Sequence, residues 1–180
     1  SSDVCSSDLN EQQQGYVDKI KYSVEGMSKL VTNLLDLGRI EAGIGLQIDQ
    51  VGIRDVIEGV VNAVQPQAIQ KKIQIEMGAC PTGSQQYLQA DQALLKQAIL
   101  NLVENAVKYT QLEGSIRIEC KTTPSTVIVE VHDTGIGIAP LDLPHMFEKF
   151  YRSGRREAHQ QKGTGLGLAI VKSIAERHQG

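Results

Sequence analysis

The sequence predicts an α+β protein, a two-layer α/β sandwich preceded by one long coiled-coil-like helix, and three observations carry that reading. Val17, Ile20, Val24, Met27, Val31 and Leu34 are spaced 3, 4, 3, 4 and 3 apart, an apolar seam on a helix from Glu11 to Ala42. Beyond it, helical and strand periods occur in separate runs with antiparallel-looking strands, which favours a sandwich over a doubly wound sheet. Third, the chain from Asp133 to Gly163 is mostly glycine, proline and charge. That exceeds the roughly 12 to 15 residues of a plain connection and marks a lid or a binding segment.

In chain order, residues 1–9 (SSDVCSSDL) have no helical or strand period and read as a non-native junction or sequence artefact. They are set aside. Residues 10–43 form the long helix and 44–180 a second unit. Leu30, Leu35 and Leu37 widen the apolar stripe toward a four-helix arrangement, although spacing alone equally fits an ordinary core helix. Gly43 and Gly45 stop the helix and open a linker. Leu46, Ile48 and Val51 alternate as a strand, and Ile53, Val56, Ile57, Val60, Val61 and Val64 follow helical spacing. Ile73, Ile75 and Met77 alternate again, and Pro81 to Gln86 is turn-rich. Asp91 is placed to cap an apolar helix through Val107. Ser115 to Cys120 and Thr126 to Val131 predict a hairpin across Thr122 to Ser125, and Gly165 to His178 an apolar-faced last helix.

Composition narrows the function classes. With 18 Lys+Arg against 21 Asp+Glu and a net charge of -3, there is no basic excess to neutralise a phosphate backbone, so nucleic acid is excluded as the expected partner. No window approaches the roughly 18 apolar residues of a membrane span, and no signal peptide is visible. The expected location is the cytoplasm, and any anchoring of a full-length protein in the inner membrane would use segments outside this sequence. Cys5, Cys80 and Cys120 lie far apart in sequence without a C-x-x-C pair, which fits free thiols in a reducing compartment.

Four stretches carry chemistry. On the helix after Asp91, Asn101, Asn105 and Lys108 recur at i, i+4 and i+7, with Glu104 beside them. Amide oxygens suit a hard cation such as Mg²⁺ and an ammonium suits phosphate, while a solvated edge of a core helix explains the same stripe. The second hairpin strand runs into Asp133-Thr-Gly-Ile-Gly-Ile138. A carboxylate there can accept from an exocyclic amine and glycines let backbone approach a flat ring, although alone the stretch is simply a turn. Gly163-Thr-Gly165-Leu-Gly167 opens the last helix, where backbone N–H groups can cradle phosphate. The dinucleotide fingerprint fails because Leu168 stands after the paired glycines, and the Walker pattern fails because Lys162 precedes its glycines.

In order, NLVENAVKYT (Asn101 to Thr110), DTGIGI (Asp133 to Ile138), FEKFYR (Phe147 to Arg152) and GTGLGLAI (Gly163 to Ile170) closely resemble the asparagine, first glycine, phenylalanine and second glycine boxes of sensor histidine kinases. LVTNLLDLGRIEAG (Leu30 to Gly43) also resembles the end of that family's dimerisation hairpin, so the resemblance runs from Val17 to Gly180.

The resemblance implies a Bergerat-type ATP-binding fold with a lid from Pro140 to Lys162, and ATP and Mg²⁺ as cofactors. It implies Asn105 as the main Mg²⁺ ligand with Asn101 in support, Lys108 on phosphate, Tyr109 along the nucleotide and Asp133 on the adenine amine. Gly135 and Gly137 would shape the adenine pocket. Gly163, Thr164, Gly165, Leu166 and Gly167 would form the phosphate contact and lid hinge. Arg152 is the candidate lid cation near the γ-phosphate, and Glu104 is either an acid beside the metal that orients a group or a residue that simply faces solvent.

As partners it implies a response regulator receiver domain and a second copy joined through the helical hairpin. The family's phosphoacceptor pattern is absent: His132, His145, His159 and His178 lack its neighbours, and Gly137 stands where the proline after His132-Asp133 would be. His159 and His178 read as solvated. The expected acceptor histidine therefore lies outside this sequence, and both ends read as truncated. Topoisomerase, chaperone and anti-sigma-kinase ATPases share the implied fold, and a nucleotide-binding module without turnover is the alternative from another class.

Overall fold

A computed structural model describes residues 10–80, 87–123, 126–154 and 163–180. The expectations for residues 1–9, the turn at 81–86, the hairpin tip at 124–125 and residues 155–162, including His159, fall outside it. Among the described residues the elements are α1 (Glu11–Ala42), β1 (Asp49–Gly52), α2 (Ile53–Gln70), β2 (Gln74–Met77), β3 (Tyr87–Ala90), α3 (Gln92–Tyr109), β4 (Ser115–Thr122), β5 (Val127–Asp133) and α4 (Gly167–Arg177), with a 3₁₀ turn at Leu143–His145.

Local chemistry sets the helix ends. Asn10 Oδ1 accepts from Gln13 N at 2.8 Å while Asn10 N donates to Gln13 Oε1 at 3.0 Å, a capping box that starts α1. Gly43 ends it at φ 68°, and a Cβ there would also collide with the Arg177 guanidinium at the end of α4. Asp91 caps α3, its Oδ1 accepting from Leu94 N at 3.0 Å.

The main core fills the space between a helical layer and a sheet. Val56, Val60 and Val64 from α2 and Val103, Ala106 and Val107 from α3 pack on Ile116, Ile118 and Cys120 of β4. The three-stranded sheet has the order β2-β4-β5, with β2 parallel and β5 antiparallel to β4. The predicted two-layer arrangement stands, with a mixed sheet. Strand β1 begins later than the Leu46 and Ile48 alternation: both of those side chains are exposed and only Val51 is buried. Its partner β3 carried no sequence signal and is fixed by antiparallel pairing, Val51 opposite Leu88.

A second cluster fixes α1 to the rest. Leu37 and Ile40 bury against Ala98 of α3 and against Leu166, Ile170 and Ile174 at α4. Leu37 therefore belongs to this internal contact and corrects its assignment to the widened seam. Ile20, Val24, Met27 and Val31 remain exposed along α1. His178 is a second correction. Its Nε2 accepts from Asp91 N at 3.0 Å and its Nδ1 donates to Ile174 O at 2.8 Å, so the ring is half-buried and ties α4 to the start of α3. No helix among the described residues is long and apolar enough to cross a membrane.

Candidate functional site

Helix α3 buries Val103, Ala106 and Val107 in the core and turns Asn101, Glu104, Asn105 and Lys108 toward a cavity of about 720 Å³. Pockets for small ligands span roughly 300–1,000 Å³. The far walls bring in Asp133 at the end of β5, Gly137 after it, Arg152, and Gly163, Thr164, Gly165 and Gly167 before and into α4. Four stretches distant in sequence thus meet at one opening, with Tyr109 beside Lys108. Gly135 and Leu166 are not on its surface. Leu166 is fully buried in the α1–α4 cluster, so its side chain anchors the glycine loop from behind.

The end of α3 is held by a side chain that sequence reading missed. Lys71 Nζ donates to the carbonyls of Val107 and Lys108, each at 2.8 Å, and of Thr110 at 3.0 Å. A cation at the negative end of a helix satisfies carbonyls that the helix itself leaves open. Burial pushes the Lys71 ammonium below its ordinary pKa. The consequence is a fixed platform for the next two residues. Lys108 Nζ donates to Tyr109 Oη at 3.0 Å and lies 4.6 Å from that ring's centroid.

Two glycine turns are set against this platform. Asp133 Oδ1 accepts from Gly135 N at 2.8 Å, which orients the carboxylate. Any Cβ on Gly135 would lie 2.7 Å from Tyr109 O, and Ile136 N donates to that same carbonyl at 3.3 Å. At Gly165, φ is 73° and a Cβ would lie 2.8 Å from Phe150 Cα, while Phe150 N donates to Gly165 O at 3.0 Å. This locks the FEKFYR stretch to the second glycine stretch. A Cβ on Gly163 would come within 2.7 Å of Lys108 Nζ, and one on Gly167 within 3.5 Å of Asn101 Oδ1.

The donor set fits a magnesium-bound polyphosphate. Asn101 and Asn105 are half-buried on adjacent turns facing the cavity, and their side-chain amides hydrogen-bond to no described residue. Amide oxygens beside an ammonium and a glycine-rich helix start offer hard-oxygen ligands and anion contacts together.

Helix α1 forms a wall that the sequence did not announce. Tyr22, Glu25, Lys29, Leu30 and Asn33 line the cavity. Lys29 Nζ pairs with Glu104 Oε2 at 3.3 Å, and Asn33 Nδ2 donates to Thr164 Oγ1 at 3.4 Å. On the cavity wall that also carries Arg152, Asp142 gathers the Tyr151 hydroxyl at 2.7 Å and the Ser153 hydroxyl at 2.6 Å. The hydrogen bond to Asp142, with burial and charge adding to it, pushes the Tyr151 phenol above its ordinary pKa. Neither group could be told from an ordinary loop polar residue in the sequence.

Residues 90–180 match the family described as Histidine kinase-, DNA gyrase B-, and HSP90-like ATPase. The chain is 34% identical to Drug sensory protein A of Synechocystis sp. (strain ATCC 27184 / PCC 6803 / Kazusa), over 96% of its own length and 27% of that protein. It is likewise 34% identical to the Phosphate regulon sensor protein PhoR of Pseudomonas aeruginosa, over 96% of its length and 38% of PhoR. The chain thus spans well under half of these relatives. Among solved structures, full-length ShkA in complex with AMPPNP superposes with a TM-score of 0.73 at 30% identity, covering 94% of this chain and 35% of ShkA. The histidine kinase AdeS of Acinetobacter baumannii superposes at 0.70 and 25% identity, covering 94% of this chain and 75% of AdeS.

Proposed function

The chain belongs to the histidine kinase-, DNA gyrase B- and HSP90-like ATPases, with sensor histidine kinases as its relatives, and from that membership we propose that it is the ATP-binding catalytic core of a two-component kinase. The reaction is transfer of the ATP γ-phosphate to a histidine carried outside this sequence, and then to an aspartate of a response regulator. One observation carries the reading: the α3 stripe, Asp133 and the Gly163–Gly167 loop converge on a single cavity.

Phosphoryl transfer asks for positioning and charge neutralisation more than for covalent chemistry. Asp133, oriented by Gly135 N, accepts from the exocyclic amine of adenine, Gly137 on the cavity wall keeps the ring's approach clear of a side chain, and Gly135 lets the turn close on Tyr109 O. Tyr109 lies along the nucleotide. Lys108 and the backbone N–H groups around Gly163, Thr164, Gly165 and Gly167 take phosphate oxygens. Asn105, supported by Asn101, would hold a magnesium ion, which would supply positive charge to the phosphates. Arg152 supplies a second cation toward the γ-phosphate, and Glu104 is an acid at the metal side of the cavity whose charge Lys29 meets from α1. The exposed face of Ile20, Val24, Met27 and Val31 is the surface for a second copy within a helical bundle.

The test mixes this chain with a separate hairpin domain from the same full-length protein bearing the acceptor histidine, in radiolabelled ATP. Acid-labile, alkali-stable label on the hairpin is the expected result, with Arg152→Ala slowing transfer more than it weakens ATP binding. Free ATP hydrolysis with no labelled hairpin would replace the kinase by a plain ATPase.

A further inference from the structure

Strands β2 and β4 pair in parallel from Gln74 opposite Ser115 to Met77 opposite Ile118. Continued unchanged, this register would set Ala79 opposite Cys120 and turn Cys80 to the other face, because strand side chains alternate. The hydrogen bonds slip by one residue instead. Gly78 N donates to Ile118 O at 2.9 Å, but Cys120 N donates to Ala79 O at 3.0 Å. In a regular parallel ladder one residue makes both bonds; here Gly78 and Ala79 share them, as at a β-bulge. Gly78 sits at the slip, where a Cβ would crowd the Glu119 side chain at 2.9 Å.

The extra residue brings Cys80 opposite Cys120 on the inward face. Cys120 is buried in the main core and Cys80 is half-buried against the same cluster. Adjacent strands lie about 4.8 Å apart, inside the roughly 4.4–6.8 Å Cα separation that a disulfide spans. Two cysteines forty positions apart, which the sequence leaves as unrelated thiols, are thus neighbours.

We propose that Cys80 and Cys120 are a dithiol pair that hydrogen peroxide oxidises to an intrachain disulfide. The Cys80 sulfur, the one solvent reaches, attacks a peroxide oxygen; the O–O bond breaks, a sulfenic acid forms on Cys80, and the other oxygen leaves as water with the thiol proton. The Cys120 sulfur then attacks the Cys80 sulfur, the S–S bond forms and the S–O bond breaks. The departing hydroxide takes the Cys120 proton as a second water. Two thiols lose two electrons and one peroxide gains them. In the reduced pair burial, and after it the neighbouring Cys80, pushes the Cys120 thiol up to about 12, which leaves Cys80 as the sulfur that reacts first.

The experiment uses the full chain with Cys5→Ser, so that only this pair remains, treated with hydrogen peroxide. The two thiols should disappear together in a monomer, with a mass loss of two hydrogens and a peptide crosslinked between Cys80 and Cys120 that dithiothreitol releases. Melting should shift upward by on the order of 5 °C, with nucleotide affinity unmoved because neither cysteine lines the cavity. Cys120→Ser should trap a dimedone-reactive sulfenic acid on Cys80, and Cys80→Ser should leave Cys120 resistant to peroxide. Cys80 passing to sulfinic acid while Cys120 stays a free thiol, or neither thiol reacting, would overturn the proposal. If Cys120→Ser does not fold, the peptide map of the Cys5→Ser chain and the Cys80→Ser variant decide it.

Discussion

Lys29 Nζ on α1 lies 3.3 Å from Glu104 Oε2 on α3, a contact across the mouth of the cavity between residues 75 positions apart. The lysine side chain is 63% exposed and the glutamate 32%, so solvent and salt screen the pair. A double-mutant cycle of Lys29→Ala and Glu104→Gln, read by urea denaturation, should give a coupling below about 1 kcal/mol that fades with salt. A coupling well above that, insensitive to salt, would mean that the pair, and not the apolar contact beside it, holds α1 in place.

That apolar contact gives the second prediction. Leu37 is 2% exposed and Leu35, two residues away on α1, is 60% exposed. Leu37→Ala should cost about 2–5 kcal/mol in a urea melt and loosen α1 from α4, while Leu35→Ala stays within about 0.5 kcal/mol. Equal effects would contradict the docking of α1.

Asp91 makes stability depend on pH. Burial alone would raise its pKa, but the backbone N–H groups of Gln47, Leu94 and Ala93 outweigh it and hold the carboxyl below its ordinary value. A depressed folded pKa contributes stability that is fully present above the unfolded value near about 3.9 and is lost as pH falls through the folded one. Asp91→Asn, which can still cap α3, should be less stable than wild type by about 1 kcal/mol at pH 7, with the gap closing in acid below about pH 4. A gap that stays constant from neutral pH into acid would remove Asp91 as its cause.

What the sequence disclosed followed from period and local chemistry. The α1 boundaries, the Asp91 cap, the hairpin of β4 and β5 and the four boxes are each written in neighbouring residues. What it concealed depends on long-range pairing. Strand β3 is only four residues and exists through β1. Leu37 looks like any seam leucine until α4 folds against it. Lys71 reads as a surface lysine, and its role depends on three carbonyls more than 30 positions away. The glycine boxes were legible as turns, but not which glycines face the cavity: Gly135 works by clearing Tyr109 O, and Leu166 by filling the core.

The central claim is that this cavity holds magnesium-bound ATP between Asn105 and Asp133, and calorimetric titration tests it most directly. Wild type should bind ATP saturably and with a dependence on magnesium. Losing a hydrogen bond to a charged group costs about 1.5–3 kcal/mol, so Asp133→Ala should weaken binding by roughly 10- to 100-fold. Asn105→Ala should abolish the magnesium dependence. Unchanged affinity and unchanged magnesium dependence in both folded variants would contradict the account.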